Sequence, residues 1–298
     1  MTTERGPILV TGTSSGIGRR ITELLSERGY RVFAGARKKA DLDSLAALPH
    51  VTPVQLDVTH DESIGKAIRA VRSTGQGLYG LVNNAGIVDL APLLDTSVEE
   101  LAKLLDVNVY GTHRMVRACF PLLRESHGRI VNIGSINGVF PEVFSGAYCI
   151  SKYAIEAYTD VLRREFRPLG IQVSVVEPGE FQSRIVSTFL ERKGGDLARA
   201  FENSPFREEM KKYFDRIQTT AGEADRSRYP VPRPVAEAVL DALFSKDPKR
   251  RYLVGSAADT DAAITQVMRL LAQLNLRHEH SLSADELAKR LRAIVSEL

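Results

Sequence analysis

Ile8-Leu9-Val10-Thr11-Gly12-Thr13-Ser14-Ser15-Gly16-Ile17-Gly18 is the stretch that decides the fold. Its first three residues read as a short buried strand. Beyond the glycines, Ile21, Leu24 and Leu25 recur at helical spacing, with Arg19, Arg20, Glu23 and Arg28 on the opposite face. A strand, a glycine-rich turn and an amphipathic helix, in that order, form a place where a dinucleotide pyrophosphate rests. Gly12 makes the tight turn, Gly16 lets the backbone come close to phosphate, and Gly18 lets the helix pack on the sheet. Ser14, Ser15 and Ile17 complete the turn. The helix start adds free N–H groups and the positive end of a dipole. Glycine-rich turns are common, and it is the flanking strand and helix that give this one meaning.

The same alternation continues along the chain. Strands are predicted near 7–11, 31–36, 52–57, 78–82, 128–134, 171–176 and 251–254. Helices are predicted near 16–28, 39–48, 61–73, 98–125, 146–168 and 233–245, with two more near 259–276 and 283–297. The last carries Ser283 as an N-cap with Glu286 three residues on. Strands alternating with helices give an α/β fold with a parallel sheet covered on both faces. Right-handed crossovers make it doubly wound, and ligands then sit at the carboxyl ends of the strands.

The chain has 298 residues, enough for one large domain or two ordinary ones, and no Gly/Ser/Pro-rich linker divides it. It is read as one domain over 1–298. Within it, 181–230 is a polar segment, helical in pieces, that covers the substrate, and 256–298 is a helical extension. Net charge is +3, from 40 basic and 37 acidic residues. The two signs are interspersed, so no nucleic-acid footprint appears. Two short basic clusters stand out, Arg37-Lys38-Lys39 and Lys249-Arg250-Arg251. The second reads as a solvated loop before a strand. No apolar run approaches a membrane span, and the first residues carry no signal peptide. Cys119 and Cys149 suggest a reducing compartment, hence a cytoplasmic protein. Neither has metal-ligand spacing, so no metal is expected. Cys149 reads as packing.

Tyr148 and Lys152 stand four residues apart, which on a helix puts both side chains on one face. A phenol is a weak acid, with an ordinary pKa of about 10. A neighbouring ammonium favours the phenolate and lowers that value. The pair is thus a proton-transfer device awaiting a substrate oxygen. The alternative is two residues on a solvated helix.

The glycine turn has the form T-G-x-x-x-G-I-G, and here the chain resembles the short-chain dehydrogenase/reductase family. The resemblance continues in order. Asn83-Asn84-Ala85-Gly86 follows the strand Leu78–Val82. Asn108 lies in a helix, Ser135 ends a strand, and Tyr148 and Lys152 come next. Glu177-Pro178-Gly179 follows another strand, and Arg251–Gly255 looks like the family's last one. The match spans roughly 6–190. It implies a Rossmann-type fold and transfer of a hydride between a nicotinamide cofactor and a carbonyl carbon. By resemblance Tyr148 is the general acid/base, and Lys152 lowers its pKa and holds the nicotinamide ribose. Ser135 bonds the substrate oxygen, and Asn108 positions a water linking Lys152 to solvent. Alternatively, Ser135 is a strand-end cap and Asn108 a satisfied core amide that bends its helix. Asn84, Ala85 and Gly86 look like the turn around the adenine ribose, a role compatible with stabilising the central sheet. Asp57, with the N–H of Val58, resembles the residue that bonds the adenine amino group. Asp57 could instead cap the helix beginning near His60. Pro178 and Gly179 also belong to the cofactor site.

Cofactor choice is read at the end of the second strand. A carboxylate there selects NAD. The strand Arg31–Ala36 ends without an acid, and Arg37 follows. A guanidinium fork suits a phosphate, so NADP is expected, with NAD as the alternative. Another reading of Arg37 is a solvated helix start. The loop Ile136–Phe144, together with Phe181, Ile185, Val186, Phe189 and Leu190, gives a largely apolar pocket wall. That suits a lipophilic ketone, aldehyde or alcohol. The Glu-Pro-Gly variant and the long C-terminal third resemble members acting on steroids and retinoids. Phe181 and Phe189 could equally belong to the core. Two other function classes remain: a sugar-nucleotide epimerase or dehydratase, whose glycine turn is normally T-G-x-x-G-x-x-G, and a cofactor-binding protein without catalysis. Family members often pair through the helices near 98–125 and 146–168, so a homodimer or homotetramer is expected.

Overall fold

The computed structural model describes residues 6–192, 201–221 and 229–297, without the side chains of 186, 187, 190, 192 and 216–221. Seven strands form one sheet: β1 (Ile8–Val10), β2 (Val32–Ala36), β3 (Val51–Gln55), β4 (Gly80–Asn83), β5 (Arg129–Ile133), β6 (Gln172–Pro178) and β7 (Arg251–Val254). Their order is β3-β2-β1-β4-β5-β6-β7, and every neighbouring pair is parallel. The sequence expectation of a Rossmann-type doubly wound sheet holds. The inner strands β1 and β2 carry no polar side chain because both their faces are covered, whereas the edge strand β3 is largely uncovered and includes Thr52 and Gln55.

On one face lie α3 (Asp61–Arg72), α5 (Gly111–Glu125) and α6 (Gly146–Phe166). They bury Ile64, Val71, Met115, Leu122 and Leu162 against Leu9, Leu81 and Ile130. On the other lie α1 (Gly16–Glu27) and α9 (Arg233–Phe244). Here Ile21, Leu25, Val235 and Val239 close over Ile8, Val82 and Val131. The alternation Ile8/Leu9/Val10 thus feeds opposite cores, as a period-two strand must. The chain winds outward through β1, β2 and β3, then returns beside β1 as β4. That reversal leaves a crevice at the carboxyl ends of β1 and β4.

The remaining described helices are α2 (Lys39–Ala46), α4 (Val98–Leu105), α7 (Ile185–Arg192), α8 (Arg207–Ala221), α10 (Ala257–Leu274) and α11 (Ala284–Ser296). Ser283 caps α11 as expected, accepting a hydrogen bond from the N–H of Glu286 at 3.2 Å. None of the described helices is long and apolar enough to cross a membrane. Of the segment 181–230, residues 193–200 and 222–228 lie outside the described residues, as do the side chains of Val186 and Leu190.

Two expectations need correction. The single helix near 98–125 is broken: a π-helical turn, Asp106–Tyr110, separates α4 from α5. Helical periodicity survives such a turn, so the apolar pattern does not mark it. Lys249 and Arg250 do form an exposed loop before the strand, but Arg251, the third of the cluster, is not left to solvent. Arg251 lies on β7 and pairs with Glu156, Glu177 and Asp160.

Candidate active site

The crevice is a cavity of about 520 Å³. Its floor is the glycine turn. Gly12 (φ 69°) and Gly16 (φ 57°) take the left-handed conformation that residues with a Cβ avoid. Gly18 has a different reason. A Cβ there would overlap the carbonyl oxygen of Gly12 and Nδ2 of Asn84. The turn and the helix therefore close on each other, with no room for a methyl. Gly18→Ala is expected to destabilise the protein by about 1–3 kcal/mol, the usual range for overpacking, and to weaken cofactor binding. Thermal melts with and without cofactor check both.

Asn84 holds the turn from above. Its Nδ2 donates to the carbonyl oxygens of Thr11 and Gly12, both at 2.9 Å. Thr11 was not singled out from the sequence, yet it is 1% exposed, and its Oγ1 accepts from the N–H groups of Asn84 and Ala85 at 2.9 Å. Asn84 and Ala85 thus join β4 to the glycine turn, and their structural reading holds. Ser15 stands at the start of α1 without using its side chain as a cap. Ser14, Ser15 and the first residues of α1 line the cavity, and a helix start of this kind is suited to an anion.

At the end of the cavity beside β2 and β3, Arg37 follows β2 and lines the wall with Asp57 and Val58. Asp57 accepts from the N–H and the hydroxyl of Thr59, at 3.0 and 2.7 Å. It therefore caps the short turn before α3 rather than the helix itself, which starts behind His60. Burial works against its charge, but the bonds from Thr59 and the nearness of Arg37 hold the carboxyl below its ordinary value. Lys39 is engaged elsewhere, pairing with Asp43 at 2.8 Å.

At the other end, α6 presents Tyr148 and Lys152. The Lys152 ammonium lies 5.5 Å from the centre of the Tyr148 ring and donates to the carbonyl oxygen of Ile133 at 2.8 Å. Burial pushes the Tyr148 phenol up to about 12, against a lowering hydrogen bond from Ser135. Burial also draws Lys152 down to about 8, while Glu156 pulls it back up. The expected lowering of the Tyr148 pKa is thus outweighed in this structure, because burial penalises both charged forms. Ser135 is the strand-end cap that the sequence allowed, its Oγ accepting from the N–H of Asn137 at 3.1 Å, and the same hydroxyl meets Tyr148.

Asn108 sits in the π turn and is 3% exposed. Its Oδ1 accepts from the N–H of Ile87, at 2.8 Å. Its Nδ2 donates to the Ile87 carbonyl and to Ser151 Oγ, at 2.9 and 3.0 Å. The side chain is a satisfied core amide that ties the loop after β4 to α6. Gly86, Pro178 and Gly179 also line the cavity. Gly179 has its own steric reason, since a Cβ would strike the carboxylate of Asp259, part of the capping box of α10.

The apolar side is built by Phe189, 1% exposed, with Val88, Leu90 and Phe214, and with Phe144, Tyr148 and Ile185 at its margin. Phe181 also lines the cavity, although it packs on the core under α9. The loop 136–144 contributes less than expected. Ser135 reaches the cavity lining, whereas that loop's nearest approach is Phe144 in the adjoining apolar cluster. Cys149 is buried packing, with Sγ accepting from the N–H of Glu142 at 3.4 Å.

A parallel doubly wound sheet, a glycine turn at its switch point and a tyrosine–lysine pair facing the same crevice define a nicotinamide-dependent oxidoreductase. Residues 7–194 match the family model described as short chain dehydrogenase, so the chain belongs to that family. D-beta-hydroxybutyrate dehydrogenase, mitochondrial, of Bos taurus is 38% identical, over 82% of this chain and 75% of that protein. The human 17-beta-hydroxysteroid dehydrogenase type 6 is 34% identical, over 83% of this chain and 80% of its own. A short chain dehydrogenase from Burkholderia cenocepacia, solved in complex with NADP, superposes with a TM-score of 0.67. It is 27% identical and covers 93% of this chain and 100% of its own.

Proposed function

We propose that the protein is an NADP(H)-dependent oxidoreductase that interconverts a lipophilic ketone or aldehyde and its alcohol, with Tyr148 as general acid/base. The observation that carries the reading is the convergence of Tyr148, Lys152 and Ser135 on one cavity with the glycine turn. The residues fit a dinucleotide. Gly12, Gly16 and Gly18 form a cradle that a Cβ would fill. Ser14, Ser15 and Ile17 lie at the helix start beside it. Arg37 offers a bidentate fork to a 2′-phosphate, and Asp57, Val58, Asn84, Ala85, Gly86, Pro178 and Gly179 complete the wall.

When bound, the cofactor supplies or takes the hydride. This chain's residues handle the proton and the oxyanion. In reduction Tyr148 gives its hydroxyl proton to the carbonyl oxygen as charge develops there. Ser135 donates a second hydrogen bond to the same oxygen, where it is most effective in the transition state. Lys152 stabilises the phenolate that Tyr148 becomes, and also holds the ribose. Asn108 fixes Ser151, next to Lys152, and a water at its π turn links Lys152 to solvent. The apolar wall around Phe189 favours a lipophilic substrate, within a single domain. A cytoplasmic homodimer or homotetramer fits this reading.

The deciding experiment is steady-state turnover with NADPH and with NADH against lipophilic ketones, short 3-keto acids and sugar nucleotides. Lipophilic ketones should be reduced with the higher kcat/KM, and with NADPH. Preference for a short keto acid would overturn the substrate class, and preference for NADH the cofactor. Arg37→Asp sharpens the second point. Charge-assisted hydrogen bonds contribute about 1.5–3 kcal/mol, so the loss of one alone predicts about a 10–100-fold fall in NADPH affinity. NADH affinity should hold. An unchanged NADPH-to-NADH ratio would reduce Arg37 to a solvated helix start.

A further inference from the structure

Behind the proposed proton donor lies a buried charge cluster that the reaction as described does not use. Tyr148, Lys152 and Glu156 follow at four-residue intervals, so they form one stripe on α6. Glu156 is 6% exposed and Glu177, at the end of β6, is 4% exposed. Arg251 on β7 reaches both. Its Nη1 bonds Glu156 Oε2 and also Glu177 Oε1, the latter at 3.0 Å. Its Nη2 is taken by Asp160 at 2.6 Å, and Asp160 is further paired with Arg163. One guanidinium therefore serves three carboxyl groups.

The remaining oxygen of Glu156, Oε1, is buried and accepts no hydrogen bond from an N–H or O–H group. Gly134 and Gly138, on either side of Ser135, face this carboxyl, and a Cβ on either would overlap it. An ionised carboxylate with a buried oxygen that no N–H or O–H group of the protein reaches is disfavoured, and a second buried carboxylate on the same guanidinium disfavours it further. Glu156 Oε2 and Glu177 Oε1 meet on the same nitrogen of Arg251, so the two carboxyls crowd one cation and a proton on one of them relieves the repulsion between them. Burial, reinforced by Glu177, raises Glu156 to about 8 against the pull of Arg251. Burial raises Glu177 as well.

We propose that Glu156 and Glu177 hold one proton between them under Arg251, and that Glu156 is a positioning residue whose charge sets the protonation range of Lys152. This rests on the acid–base reading of Tyr148 and Lys152. As pH rises, the shared proton leaves to solvent on the partly exposed Arg251 side, and a negative charge appears one helical turn from the Lys152 ammonium. That charge favours the ammonium and keeps Lys152 protonated to higher pH. Among the described residues, the charged groups around the pair come from three elements. Lys152, Asp160 and Arg163 come from α6, Glu177 from β6 and Arg251 from β7, with Arg164 and Arg250 farther out around Arg163. The end of β5 and the turn 136–138 meet the carboxyl with glycine.

The test reads Lys152 directly. Cofactor-free protein labelled with 13C at the lysine ε carbon is titrated by NMR, with the Lys152 signal assigned by its loss in Lys152→Met. In Glu156→Gln the titration should move down by about 0.5–1 pH unit, the effect of one carboxylate a helical turn away in a partly shielded site. The alkaline limb of ketone reduction should move with it, and Glu156→Asp should restore much of both. A purely structural role would lower activity at every pH without moving either midpoint. An unmoved Lys152 titration in folded Glu156→Gln overturns the proposal. If that variant does not fold, wild type labelled at the glutamate side-chain carboxyl decides. A protonated glutamate persisting at neutral pH is expected, and its absence is fatal. A chain that reduces no ketone would refute the proposed function while leaving the lysine titration intact, so the two failures are separable.

Discussion

Tyr148→Phe should lower turnover by about 10²–10⁴-fold, the usual contribution of a positioned general acid, while cofactor affinity and fold survive. The substitution keeps the ring, which packs at the margin of the apolar cluster around Phe189. It removes only the hydroxyl that meets Ser135. Because burial holds the phenol up to about 12, the acid is fully protonated at neutral pH and reduction needs no prior ionisation. The reductive rate should therefore be flat on the acid side. It should fall only as pH rises through the Lys152 range near 8, where the ammonium that steadies the nascent phenolate is lost. Oxidation uses the phenolate as base, so burial works against it and its rate should climb with pH. Turnover profiles of both directions, with cofactor binding followed by fluorescence, check the prediction. A Phe variant that turns over at the wild-type rate would remove Tyr148 from the chemistry.

Much of this site is legible in the chain because its pieces are local. The glycine turn is written in consecutive residues, and a Tyr–Lys pair at helical spacing shares a face wherever its helix lies. What stayed hidden depends on burial or on distant partners. Thr11 looks like any strand-end threonine until the loop after β4 folds over it. Arg251 ends a run of three basic residues and opens a predicted strand, and nothing local shows that it meets carboxylates rather than solvent. Its partners are Glu156 and Asp160, more than 90 residues earlier, and Glu177, 74 residues earlier. No local pattern encodes such a pairing. The π turn at Asn108 is hidden for another reason: one widened turn barely disturbs the apolar period on either side. The direction of the Tyr148 shift is not legible in the chain, because spacing reveals the ammonium but not the depth at which both groups lie.

Lys152→Met should abolish most activity and yet make the cofactor-free protein more stable at neutral pH. Activity falls because two jobs vanish together, support of the phenolate and the proposed hold on the ribose, so cofactor affinity should fall too. Stability moves the other way because burial disfavours the charge. Lys152 titrates near 8 in the folded chain against an ordinary value of 10.5. Below about 8 both folded and unfolded chains carry the proton, and folding must bury the ammonium. Between 8 and 10.5 the unfolded chain binds more protons, so wild-type stability rises with pH and the penalty fades. Methionine fills similar space without charge but forfeits the bond to the Ile133 carbonyl, a loss of about 1 kcal/mol. Against a shift of this size, a net gain of about 1–2 kcal/mol is expected at pH 7, shrinking towards the ordinary lysine value. Denaturant melts of both proteins at several pH values measure it. A Met variant less stable than wild type at pH 7 would mean that Lys152 is a structural tie to β5, and that its buried charge is not held at the expense of the fold.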